Sequence, residues 1–187
     1  MAPGKKAELP SPWDRFLEEL DGLLREKVNV HCIGGFVVSL FYGLPRPKAE
    51  VDYFAAMPHS SVEELHALAG AGSRLALKYK LYFQYVPMIS LPEHYETRLT
   101  AMYPGKFKRL HLYAPDPYDL ILSKLERNSP KDRDDMAFLA ESLHPSPDVL
   151  LDRYKTKLRP YLTNEPRHDL TLKLGLDIGL DRPPTKP

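Results

Sequence analysis

From Trp13 the apolar residues Phe16, Leu17, Leu20, Leu23 and Leu24 recur at spacings of three and four, which predicts an amphipathic helix ending near Lys27. The β-branched run VNVHCI then predicts a strand. Gly34-Gly35 breaks it, and FVVSLFYG, an apolar run closed by Gly43 and too short to stand alone, predicts a short buried helix. After the turn Leu44-Pro45-Arg46-Pro47, AEVDYFAAM alternates and predicts a second strand. Ser60 and Ser61, with Glu63 and Glu64 three residues on, form overlapping capping boxes before the helix VEELHALAG. Two strand-like runs follow within SRLALKYKLYFQYVPM, then a small helix around EHYETRLTAMY and a strand RLHLYAP. A long helical segment over 117–143, interrupted near Asn128-Ser129-Pro130, leads to helices at about 147–162 and 167–179 and a frayed tail, RPPTKP.

The order is helix, strand, helix, strand, helix, strands and then helices only. It predicts an α+β fold: a small mixed β-sheet flanked by helices in residues 1–115, a helical C-terminal part over 116–180 packed on that core, and a tail at 181–187. Almost no Gly or Ser separates the parts near Ala114-Pro115-Asp116, so the boundary reads as a change of architecture rather than a flexible linker.

The 19 prolines sharpen the helix starts. Ser11-Pro12, Asp116-Pro117 and Ser146-Pro147 each set a capping oxygen before a proline at the first helical position. With 43% hydrophobic and 27% charged residues among 187, the chain can form a core, whereas 26 Lys+Arg against 25 Asp+Glu leave no global basic field, so anion binding must be local. One cysteine, Cys32, excludes an internal disulfide and a Cys-rich zinc site; it sits at an apolar strand end and reads as a small buried hydrophobe. The stretch MAPGKKAELPSP has two lysines without an apolar run behind them, and no run approaches a membrane span, so the expectation is a cytoplasmic protein with no membrane association.

Candidate chemistry concentrates in HCIGGFVVSLFYGLPRPKAEVDYF. A strand ending in Gly34-Gly35 at a helix start offers backbone N–H groups to a phosphate. Glu50 and Asp52, two apart on a predicted strand, leave the same face with backbones about 6 to 7 Å apart and can grip one divalent cation between them. Taken alone, such a pair is more at home on the solvent face of an edge strand. The histidines show no pairing of metal-ligand spacing, and Tyr79, Tyr82, Phe83 and Tyr85 read as packing residues rather than a base-stacking platform. Two groups of cations, Lys106, Lys108 and Arg109, then Arg153, Lys155, Lys157 and Arg159, are available to an RNA backbone or simply solvate their faces.

A glycine pair at a strand-to-helix turn, a basic residue (Arg46) and spaced acids on the next strand together resemble the DNA polymerase β-like nucleotidyltransferases. The chain looks like the minimal bacterial members related to AbiEii-type toxins, and DPYDLILSKLERNSPKDRDDMAFLA is similar to that group's later motifs, with Lys124 on a helix and then Lys131, Asp132 and Asp135. The resemblance spans about residues 28–143. It implies transfer of a nucleotide from a nucleoside triphosphate to a hydroxyl of tRNA or protein, and a toxin role with a cognate antitoxin. It also implies Mg2+ (or Mn2+) held by Glu50 and Asp52, catalysis by Glu50, Asp52 and Lys124, and nucleotide binding by Gly34, Gly35, Arg46, Lys48, Asp132 and Asp135. Asp132 and Asp135 share a helix face, where they orient Lys124 or Arg133 or solvate the surface; Leu120, Ile121, Leu125 and Met136 read as core.

Three departures keep a second reading open, a catalytically weakened relative that binds a nucleotide or a partner protein. Relatives carry Asp where this chain has Glu50 and a threonine where it has Lys48. The neighbouring strand KLYFQYVP offers Gln84 where a third acid would serve as base, and an amide takes no proton.

Overall fold

The computed structural model describes residues 9–180; the stretch before Leu9 and the expected tail at 181–187 lie outside the described residues. Two compact units emerge, one of residues 9–88 with Leu99–Ala114, the other of Ile89–Arg98 with residues 115–180. The architecture is α+β, with a five-stranded mixed sheet in the first unit and helices in the second.

The sheet unit runs α1 (Trp13–Leu23), β1 (Val28–Cys32), α2 (Gly34–Phe36, continued by a π turn over Val37–Phe41), β2 (Glu50–Met57), α3 (Ser61–Ala69), α4 (Arg74–Tyr79), β3 (Tyr82–Tyr85), β4 (Thr100–Met102) and β5 (Leu110–Ala114). Strand order is β3-β2-β1-β5-β4, with β1 antiparallel to β2 and parallel to β5, β2 parallel to β3, and β4 antiparallel to β5. Val28, Val30, Cys32, Val51, Tyr53, Phe83, Leu110 and Leu112 are buried on one face of this sheet. Helix α1 covers that face: Phe16 is fully buried with its ring 6.0 Å from Phe83 and 5.9 Å from Tyr79, and Trp13 lies 5.2 Å from Phe36. Each such side chain contributes about 1.5–3 kcal/mol through area removed from water. The end of α1 is tied to the start of β5 by Asp21, whose carboxylate accepts the N–H groups of Lys108, Arg109 and Leu110 at 3.1, 2.7 and 2.7 Å. Burial pushes the Asp21 carboxyl up, but these amides outweigh it and hold the group below its ordinary value.

Several sequence expectations change here. The first of the two strand-like runs in SRLALKYKLYFQYVPM is the helix α4: Ser73 Oγ accepts the Ala76 N–H at 3.1 Å, and Lys80 closes it in the left-handed region at φ 59°. Tyr79 donates its hydroxyl to Glu19 of α1 at 2.6 Å, a contact that sequence periodicity does not encode. The small helix expected around EHYETRLTAMY is a 3-10 turn over Tyr95–Arg98, and Thr100–Met102 pairs with β5 instead. The serine caps are fewer than expected. Helix α1 starts with Pro12, not Ser11, at the cap position, and Ser60 has helical dihedrals that take its hydroxyl out of capping geometry.

The helical unit contains α5 (Pro117–Leu122), α6 (Pro130–Leu143), α7 (Pro147–Arg153), a π turn and a 3-10 turn over Tyr154–Leu158 and Arg159–Tyr161, and α8 (Glu165–Leu180). The interruption falls where it was expected: Asn128 is left-handed at φ 46°, and Ser129 and Asp132 form a reciprocal capping box at the start of α6. Asp116 caps α5 by accepting the Asp119 N–H at 2.8 Å. Ser146 makes no side-chain cap; its N–H donates to the Tyr118 hydroxyl at 3.0 Å. Leu120, Leu122, Leu125, Leu139, Tyr154 and Leu158 form the apolar interior, with Ile121 and Met136 also buried as expected. No helix among the described residues is long and apolar enough to cross a membrane.

Candidate active site

The turn after β1 builds the site. Ile33 is extended and its N–H donates to the Asp52 carbonyl at 2.8 Å, holding the end of β1 against β2. Gly34 then adopts φ +72°, and a Cβ there would lie 2.6 Å from Asp52 Oδ2, so the Asp52 carboxylate rests on bare glycine backbone. A Cβ on Gly35 would run into the terminal methylene and ammonium of Lys48. The two glycines therefore make room for one acid and one base. Tyr103 anchors the following turn by donating its hydroxyl to the Leu40 carbonyl at 2.9 Å.

On β2, Val51 and Tyr53 are buried while Glu50 and Asp52 are half-buried, so the two carboxylates share the face opposite the α1-covered core. Lys48 donates to Glu50 Oε1 at 3.2 Å, and the Ala49 N–H reaches Glu50 Oε2 at 3.3 Å. Burial raises the Glu50 carboxyl, but Lys48 and that amide outweigh it and keep the group below its ordinary value, ionised at neutral pH. The parallel register sets Gln84 of β3 directly beside Asp52, in the position from which a third acid would act. The same face carries aromatic surface that the sequence reading missed. The His31 ring lies 5.8 Å from Phe54 and 6.1 Å from Tyr113, and the signal was the continued alternation Glu50, Asp52, Phe54.

Gly34, Gly35, Lys48, Glu50 and Asp52 thus converge, and Arg46 stands two residues before Lys48 in the loop entering β2, half-buried. The residues fit a magnesium or manganese ion held partly by substrate. Two carboxylates share a face beside a backbone cradle that a side chain would fill, and such an ion takes its remaining ligands from phosphate oxygens and water. Among the described residues no group of three or more His, Cys, Asp or Glu side chains is placed to hold a metal unaided.

Lys124, Asp132 and Asp135 form a separate cluster within the helical unit. All three are buried; Lys124 Nζ donates to Asp135 Oδ2 at 2.7 Å and lies 3.6 Å from Asp132 Oδ1. Both acids are buried beside Lys124 rather than beside Arg133 or in solvent. Asp132 also takes two 2.7 Å bonds from Arg127, while Arg133 donates to the Asn128 carbonyl. Burial raises the Asp132 carboxyl, yet Arg127, Ser129 and Lys124 outweigh it and hold it far below the usual carboxylate range. A second network was not foreseen, because Asp116 and Asp119 read only as helix-start residues. Arg153 binds both, at 2.6 Å and 2.9 Å, and Arg98 binds the fully buried Asp119 at 2.8 and 3.2 Å. Arg153 and Arg159 are consequently engaged in ion pairs, the latter with Glu165 and Asp169.

Gly34→Ala is expected to cost about 1–3 kcal/mol in urea unfolding followed by Trp13 fluorescence, since alanine is strained at positive φ and meets the Asp52 carboxylate. A Gly34→Ala chain as stable as wild type would mean that the turn relaxes freely.

No curated protein and no solved structure matches the chain. A family model matches residues 14–156, a span that takes in α1 from its second residue, the whole sheet, the glycine turn with its acids and the Lys124 cluster. The chain belongs to this family, described as nucleotidyltransferase of unknown function (DUF6036).

Proposed function

We infer that the protein is a Mg2+-dependent nucleotidyltransferase acting at the face formed by Gly34, Gly35, Lys48, Glu50 and Asp52. The observation that carries this reading is the seating of the Asp52 carboxylate on the Gly34 backbone, which brings an acid and the glycine turn into contact. An acceptor hydroxyl attacks the α-phosphorus of a nucleoside triphosphate. The new O–P bond forms as the bond from that phosphorus to the bridging oxygen breaks, pyrophosphate departs with the electron pair, and the hydroxyl proton passes to solvent. Most of the acceleration in such a step comes from positioning and charge neutralisation. A divalent cation, when bound, neutralises phosphate oxygens; Glu50 and Asp52 are its holders, Gly34 and Gly35 cradle phosphate, and Lys48 supplies a fixed positive charge. Arg46 is assigned to the nucleotide as well. Lys124, with Asp132 and Asp135 beside it in the helical unit, is the further cation that the resemblance implicates in catalysis. The acceptor is a hydroxyl of tRNA or of a protein, and a toxin role with a cognate antitoxin, in the cytoplasm, follows the resemblance to AbiEii-related proteins.

Gln84 beside Asp52 favours one alternative, a weakened relative that retains the nucleotide without transferring it. Incubating the full chain with Mg2+, each α-labelled nucleoside triphosphate in turn, and total tRNA or cell lysate decides between them. Label on a macromolecule, with pyrophosphate released, is the expected result. Nucleotide binding without incorporation would establish the alternative.

A further inference from the structure

The place of Lys48 changes what the site can hold, and the inference rests on the nucleotidyltransferase reading. Its ammonium is fixed rather than swinging in solvent: the side chain is 12% exposed, Nζ binds Glu50 at 3.2 Å, and the stem fills the space that a Cβ on Gly35 would need. Gln84, level with Asp52 across the β2–β3 ladder, adds an amide and no charge. Glu50, Asp52 and Lys48 therefore sum to a single negative charge, which Arg46 in the entering loop can only reduce. One divalent cation is well matched to that balance. A second would sit among the same few oxygens, repelled by the ammonium and, among the described residues, lacking a third carboxylate grouped with them to offset it.

We propose that Lys48 takes the place of one of two cations, so that the site receives the triphosphate group with a single divalent ion and the Lys48 ammonium as its second positive charge. On entry of the phosphates, Lys48 exchanges or shares its Glu50 partner for a phosphate oxygen above Gly35, trading one charge-assisted bond for another. The substrate class is thereby narrowed to a polyphosphate whose negative charge is met partly by a protein ammonium. Magnesium dependence then shows one binding event rather than two.

The test is electron paramagnetic resonance of the full chain with Mn2+ and one equivalent of inorganic tripolyphosphate, joined to tripolyphosphate affinities at fixed Mn2+. Wild type is expected to show one uncoupled Mn2+ per chain. Lys48→Met is expected to lose about ten-fold or more in tripolyphosphate affinity, the size of one charged hydrogen bond, while Lys48→Arg keeps most of it. Unchanged Trp13 fluorescence unfolding certifies that each variant is folded. A spin-coupled manganese pair in wild type, or undiminished affinity in Lys48→Met, overturns the inference and leaves the transferase reading standing. Failure of wild type to bind either Mn2+ or tripolyphosphate overturns both.

Discussion

Asp52→Asn is expected to lower nucleotide transfer by at least about 10²–10³-fold, the scale on which removing one preorganised charged group acts on phosphoryl and acyl transfer. The substitution keeps the shape of the side chain and removes its charge. Oδ2 of Asp52 rests against Gly34, so the amide still fits the space, and the Ile33 N–H bond to the Asp52 carbonyl is untouched. Stability should change little, which separates a chemical loss from a folding loss. Initial rates of label incorporation and a urea transition followed at Trp13 are the two measurements. A variant retaining more than a tenth of the wild-type rate would move the chemistry away from β2.

The second large effect is on stability. Asp132→Ala removes the partner of Arg127, the second acid beside Lys124 and one half of the capping box of α6, all from a side chain that is fully buried. The Lys124 ammonium stays buried with Asp135 as its remaining acid, whereas Arg127 is 72% exposed and returns to water, so the expected cost is about 3 kcal/mol, the lower end of the range for breaking a buried ion pair from one side. The loss should appear in far-UV circular dichroism during urea unfolding. It carries a pH signature. Because the folded Asp132 carboxyl titrates below its unfolded value of about 3.9, its stabilisation is complete above about pH 5 and is lost as pH falls through that value and towards the folded one. The gap between wild type and Asp132→Asn should therefore narrow between pH 5 and pH 3. A gap of constant size would assign the stabilisation to packing rather than to charge.

Much of the fold was legible because it depends on neighbours in the chain. Alternation along Glu50–Met57 predicted both the strand and the shared face of Glu50 and Asp52, since the period of two is a property of the extended backbone. Asp116-Pro117 predicted a capped helix for the same local reason, the proline lacking the N–H that a first-turn residue would leave unbonded. The errors fell where distant contacts overruled local pattern. Leu75, Leu77 and Tyr79 alternate with Arg74, Ala76 and Lys78 as in a strand, yet Ala, Leu, Lys and Arg are strong helix formers, Tyr79 and Lys78 reach Glu19 of α1, and Ser73 supplies a cap. Thr100–Met102 took the strand state because β5 offered its open edge.

For the site, the chain alone determined which residue types were available: a glycine pair, two acids two apart, a lysine just before them and a glutamine where an acid was expected. Spacing along one strand is enough for that, because backbone geometry translates it directly into a common face. Tertiary structure decided how these groups are used. Only the pairing of β2 with β3 sets Gln84 level with Asp52, and only the turn at Gly34 brings Asp52 and Lys48 onto glycine backbone. The partners of Lys124 were likewise settled in three dimensions: 11 residues separate it from Asp135, and the break between α5 and α6 is what folds one onto the other. Such contacts depend on where elements dock, and docking is governed by the whole buried surface rather than by any short run of sequence.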